Sequence, residues 1–339
     1  MTNPILSDWT TPFKIAPFDT ISDDDFAPAL DEALKEHNAE IEAIAKNTEK
    51  PSFSNTIEAL EAAGENLDKV LSVFFTVAGA DSNPKREELQ REFSPKLAAH
   101  FSGISSNKAL FQRVADVWAQ REALDLTDEE NRVLMLAHRN FVRSGAALQG
   151  KEDARMQDIK ARLATLGTTF TQNLLADERE WFMNLTEEDL EGLPEFVINA
   201  ARAAGQEKGA VGPVVTLSRS LIVPFLQFSP RRDLREKAYR AWTSRGGNGG
   251  ETDNREIAAE TLGLREERAK LLGYNSFAEF KLETKMARTP ERVRDLLMQV
   301  WHPAKKRADN DADILTELMQ EDGANGPLEA WDWRYYAEK

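Results

Sequence analysis

The sequence predicts a mainly α-helical fold with one small β-hairpin near residues 214–223, and three observations carry that expectation. Capping residues recur three positions before an acid, apolar residues repeat at helical intervals, and strand character is confined to the stretch after Gly209. Ser22 with Asp25, Asn55 with Glu58, Thr127 with Glu130 and Thr186 with Asp189 each put a side-chain acceptor and a carboxylate where a helix start presents free N–H groups. Ile57, Leu60, Leu67, Val70, Leu71 and Phe74 then recur every three or four residues. So do Val133, Leu136, Phe141 and Val142, and after them Met156, Ile159, Leu163, Leu166 and Phe170. Val214 to Leu217 and Leu221 to Val223 flank a short polar turn and read as the hairpin. Beyond it, Asp253 and Glu256 read as a capping box for a helix that stops at Gly273. A second helix follows through Phe277, Phe280, Leu282 and Met286. Thr289-Pro290 opens a third through Val293, Leu296, Leu297 and Val300.

Punctuation divides the chain into a helical region over 1–205, a hairpin and glycine-rich connection over 206–250, and a helical segment over 251–339. The run GGNGG from Gly246 to Gly250 reads as a flexible turn. It fails as a phosphate cradle, because Thr252 stands where the third glycine of G-x-G-x-x-G would fall and no G-K-[ST] follows.

Composition excludes several classes. With 41% hydrophobic residues, 30% charged residues and no apolar run near membrane length, the chain can build a core and carries no predicted membrane span. Its N-terminus lacks the basic-then-apolar pattern of a secretory leader, so a cytoplasmic location is expected. The absence of cysteine removes thiol catalysis and cysteine-held metals. A net charge of -15 argues against a nucleic-acid partner, whose affinity comes from clustered Lys and Arg.

Catalytic signatures are sparse. The residues after His37, His100, His138 and His302 are Asn38, Phe101, Arg139 and Pro303, so none opens H-E-x-x-H. No G-x-S-x-G occurs, and Glu-x-x-His fails at all four histidines. His37, beside Glu36 and Glu40, reads as a solvated imidazole; Arg139 and Arg143 would discourage a cation at His138; His302, between Trp301 and Pro303, reads as a packing residue. No catalytic, cofactor-binding or metal residue is assigned.

Several strings carry a family resemblance: NPIL at Asn3–Leu6, FSNTIEALE at Phe53–Glu61, SVFF at Ser72–Phe75, SPRRDLREKAYRAWTSR at Ser229–Arg245, the block from Asp253 to Pro290, and the closing WDWRYYAEK. Their order and spacing resemble the thimet-oligopeptidase family of zinc metallopeptidases, the bacterial peptidyl-dipeptidase branch above all. The resemblance implies the N-terminal half of a two-lobed helical enzyme that holds zinc on a downstream H-E-x-x-H helix and takes short peptides as substrates. This chain would then supply a wall of the substrate channel and be inactive alone. Leu328, Trp331, Trp333, Tyr335 and Tyr336 crowd aromatic surface into the last dozen residues, which suggests packing partners in a missing C-terminal half. The competing expectation is a non-catalytic helical peptide-binding or scaffold protein.

Overall fold

The computed structural model describes residues 3–339, which fall into two compact units, Met1–Arg155 and Met156–Lys339. The first is a stack of helices: α1 (Phe26–Lys46), α2 (Ala59–Ala62), α3 (Glu65–Ala80), α4 (Pro84–Ser105), α5 (Lys108–Ala119) and α6 (Asp128–Ser144). Two of the sequence-predicted capping boxes form here. Asp25 accepts the Ser22 N–H at 2.8 Å, and Glu130 accepts the Thr127 N–H at 2.8 Å while Thr127 accepts the Glu130 N–H at 3.2 Å. The third is displaced by one turn. The reciprocal pair is Ser52 with Asn55, and it opens a π-helical turn over Phe53–Glu58.

Two apolar clusters hold this unit. In one, Phe26, Phe74 and Phe93 pack with ring centroids 5.1 and 4.7 Å apart, closing α1, α3 and α4 around Ile5 and Val70. In the other, Ile41, Ile57, Val114 and Leu134 join α1, α5 and α6. Arg113 is buried beside this second cluster and donates to the carbonyls of Asn47 and Glu49 and to the side chains of Asn55 and Thr56.

The long helix α7 (Gly150–Glu180) leads into the second unit. There β1 (Phe182–Asn184), α8 (Glu195–Lys208), β2 (Val214–Thr216), α9 (Arg219–Phe228) and α10 (Arg232–Thr243) precede α11 (Arg255–Leu271), α12 (Phe277–Leu282), α13 (Pro290–Glu321) and α14 (Trp333–Glu338). The mainly helical class and the single small antiparallel sheet hold, but the hairpin over 214–223 does not form. Val214–Thr216 pairs instead with Phe182–Asn184, Met183 opposite Val215. Leu221 to Val223 are helical because Leu221, Ile222, Phe225 and Leu226 share one buried helix face against Val215 and Val197. The approach to β2 depends on Gly205. A Cβ there would lie 2.1 Å from the Gly212 carbonyl oxygen, so α8 packs this closely only with glycine.

Thr186 and Asp189 exchange the predicted bonds, at 2.9 and 3.3 Å, but over a single 3-10 turn, Glu188–Leu190. The glycine-rich connection is not a free turn. Asp177 on α7 accepts the Gly246 N–H at 2.7 Å, the Asn248 amide and the Thr252 hydroxyl, tying the loop to the helix. The Asp253–Glu256 box is likewise absent. Asp253 instead accepts from the Arg255 N–H and guanidinium, and Asn254 occupies the cap position.

Candidate functional site

The four histidines are the natural first place to look for chemistry, and the fold separates them into three environments. His37 on α1 is buried, not solvated, because α4 brings His100 against it with Nε2 of His100 3.0 Å from Nδ1 of His37. Gly64 makes the space: its φ is +86°, and a Cβ there would sit 2.9 Å from His37 Cε1. Nδ1 of His100 is buried with no hydrogen-bond partner. A bare buried lone pair costs less than a bare buried N–H, so His100 is the Nε2–H tautomer and donates to His37. His138 on α6 stacks on Trp118 with centroids 4.8 Å apart. His302 and Trp301 on α13 are exposed, against the packing expected of them.

Burial lowers the pKa of His37, with Glu40 and Asp68 opposing it; burial and then the neighbouring His37 lower that of His100; burial and then Arg121 lower that of His138. The folded pair therefore stays neutral where an unfolded imidazole, with a pKa of about 6.5, has begun to protonate. Stability of the first unit falls as pH drops below about 6.5, because the unfolded state takes up more protons. Denaturant midpoints at about pH 7 and about pH 5 check this, with His100→Gln reducing the difference; an unchanged difference in the variant removes the pair as its source.

Among the described residues, no three His, Asp or Glu side chains converge on one point. The distinctive surface lies instead in the second unit, on α13. Thr289 caps this helix through the Arg292 N–H, and Pro290 occupies its first turn. Leu296, Leu297, Val300 and Trp301 follow on helical spacing and are 57–62% exposed. Its far end is anchored: Leu315 and Met319 pack on Tyr336 of α14.

The aromatic terminal segment is not the uncovered surface its composition suggested. Asp332 is fully buried, bonded by Arg235 at 2.9 Å and Arg232 at 2.7 Å, while Arg235 lies over the Tyr335 ring at 4.1 Å and Arg240 over Trp331 at 4.7 Å. Tyr335 and Trp331 lie against arginines of α10, Tyr336 packs on α13 and Trp333 stays 37% exposed, while the large bare apolar face is the one 30 residues upstream.

That face lies within residues 225–339, which match the model of Peptidase family M3. Over the full chain, identity is 34% to a dipeptidyl carboxypeptidase of Salmonella typhimurium, with all of this chain and 50% of that protein covered. The chain is similar to peptidase family M3. The Escherichia coli dipeptidyl carboxypeptidase is 33% identical over 99% of the chain and 50% of its own length, and oligopeptidase A of Salmonella typhimurium is 28% identical over 100% and 50%. The chain thus spans about half the length of the curated M3 relatives it matches. M3 peptidases are zinc-dependent, and the quoted strings, in their order and spacing, were enough to find the resemblance. The His37–His100 pair had no local signal, since its members stand 63 residues apart.

Proposed function

We propose that this chain is the N-terminal, channel-wall half of a cytoplasmic zinc metallopeptidase whose intact form removes C-terminal dipeptides from short oligopeptides. The observation that carries the proposal is the bare stripe Leu296, Leu297, Val300 and Trp301, inside the M3-matching segment of a chain about half as long as its relatives. A contiguous apolar face of this kind marks an interface. In this reading the remaining half covers it and contributes the zinc ligands.

The histidines of this chain do not fit a zinc centre. His37 and His100 satisfy each other across 3.0 Å, His138 is occupied by Trp118, and His302 stands among exposed neighbours with no ligand cluster around it. No catalytic step is assigned to these residues. The helices that carry them would serve as scaffold, and a channel walled by such helices admits extended peptides while rejecting folded proteins.

The test uses short peptides with free and blocked C-termini in the presence of zinc. The 339-residue chain is expected to release no dipeptide, and a version continued into an H-E-x-x-H segment is expected to release it from the free peptide alone. Zinc-dependent release by the chain itself, or none by the continued version, overturns the proposal.

A further inference from the structure

A groove of about 620 Å³ runs between α7 and α11 and is closed at one end by α12. Its two walls are tied together at both ends. Arg162 of α7 forms a two-pronged bond to Glu260 of α11 at 2.6 and 2.7 Å, and the buried Asn254 donates to the Phe170 carbonyl at 3.0 Å and accepts from Asn173 at 2.9 Å. The space lies within the roughly 300–1,000 Å³ range of small-ligand pockets.

Its chemistry is two-sided. Leu166, Phe170 and Leu262 supply an apolar surface, with Phe170 and Leu262 37% and 65% exposed. Arg265, Arg268 and Lys281 supply cations, and no carboxylate lines the groove, although the whole chain carries a net charge of -15. The guanidiniums are held in place by aromatic faces, Arg265 over Phe277 at 5.4 Å and Arg268 over Phe280 at 5.2 Å. Arg265 and Lys281 make no ion pair among the described residues, so two of the three cations are uncompensated at an apolar surface.

From this charge pattern we infer that the groove binds the C-terminal end of a peptide whose last residue is apolar. The terminal side chain lies on Leu166, Phe170 and Leu262, and the α-carboxylate meets Arg265, Arg268 and Lys281. The choice of a peptide among apolar carboxylates rests on the peptidase reading above; the pairing of apolar wall with cationic rim does not.

Isothermal titration of the 339-residue chain, without zinc, tests this with three probes: N-acetyl-Ala-Ala-Phe as the free acid, its C-terminal amide, and decanoate. The acid is expected to bind at least roughly ten-fold more tightly than the amide, as loss of a charge-assisted hydrogen bond requires. It is also expected to bind more tightly than decanoate. Replacing Arg265→Gln and Lys281→Gln together brings the acid to the amide's level, with cooperative thermal unfolding retained because both side chains are exposed and neither makes an ion pair among the described residues. Equal binding of acid and amide, no binding of the acid, or tighter binding of decanoate overturns the inference. None of these outcomes bears on the dipeptide-release test, so the two readings fail separately.

Discussion

An Asp332→Ala variant loses about 3–5 kcal/mol of stability in the second unit, the cost of leaving buried charge unpaired. Asp332 has no solvent exposure and Arg235 has 1%, so removing the carboxylate strands Arg235 with only the carbonyls of Ser229 and Trp331 to receive its donors. Arg232 loses its ion pair in the same step. Burial alone would raise the Asp332 pKa, but bonds from Arg232, Arg235 and the Glu329 N–H outweigh it and hold the group below its ordinary value. Its stabilising contribution is therefore present above the unfolded carboxylate pKa of about 3.9 and is lost as pH falls through the lower folded value. Chemical denaturation of the variant, followed through the tryptophans at 331 and 333, measures the loss. A change below about 1 kcal/mol would show that the terminal segment docks through its rings and not through this cluster.

In the first unit the comparable site is Arg113. Arg113→Ala destabilises that unit by about 3 kcal/mol or more, since four acceptors lose their donor and Thr56 beside them is fully buried. Arg113→Lys recovers only a part, because one ammonium cannot span the carbonyls of Asn47 and Glu49 and the side chains of Asn55 and Thr56 at once. The two variants, compared by thermal unfolding, check both statements; equal midpoints for lysine and arginine would reduce the residue to a simple positive charge.

Both arginines mark the limit of what the sequence made legible. Helix starts were readable where the signal is local: Ser22 with Asp25, Thr127 with Glu130, and Thr289 ahead of Pro290 are all confined to one turn. Errors appear where a competing local partner wins, as Ser52 does over Glu58 for Asn55, and as Arg255 does over Glu256 at Asp253. The sheet was misassigned for a different reason. Val214–Thr216 is buried on both sides, so it shows no alternation, and its partner Phe182–Asn184 lies beyond α8, where no turn chemistry advertises the pairing. The metal and site reading followed from the absence of a motif, which spacing displays directly. The His37–His100 contact, the Asp332 cluster and the α7–α11 groove depend on helix packing and left no trace in the order of residues.

The bare stretch of α13 has a consequence for the helix itself. Residues 294–310 are all exposed, and Pro303 stands in their midst with no N–H to offer the Gln299 carbonyl. A solvated helix of that length gains little from tertiary packing, and an interior proline costs it about 3 kcal/mol. Its ends are held, by α12 on one side and by Met319 against Tyr336 on the other, while the exposed centre has the least packing to offset the proline. Whatever buries Leu297 and Trp301 then supplies helicity as well as contact, so that association and local folding along this segment become one equilibrium.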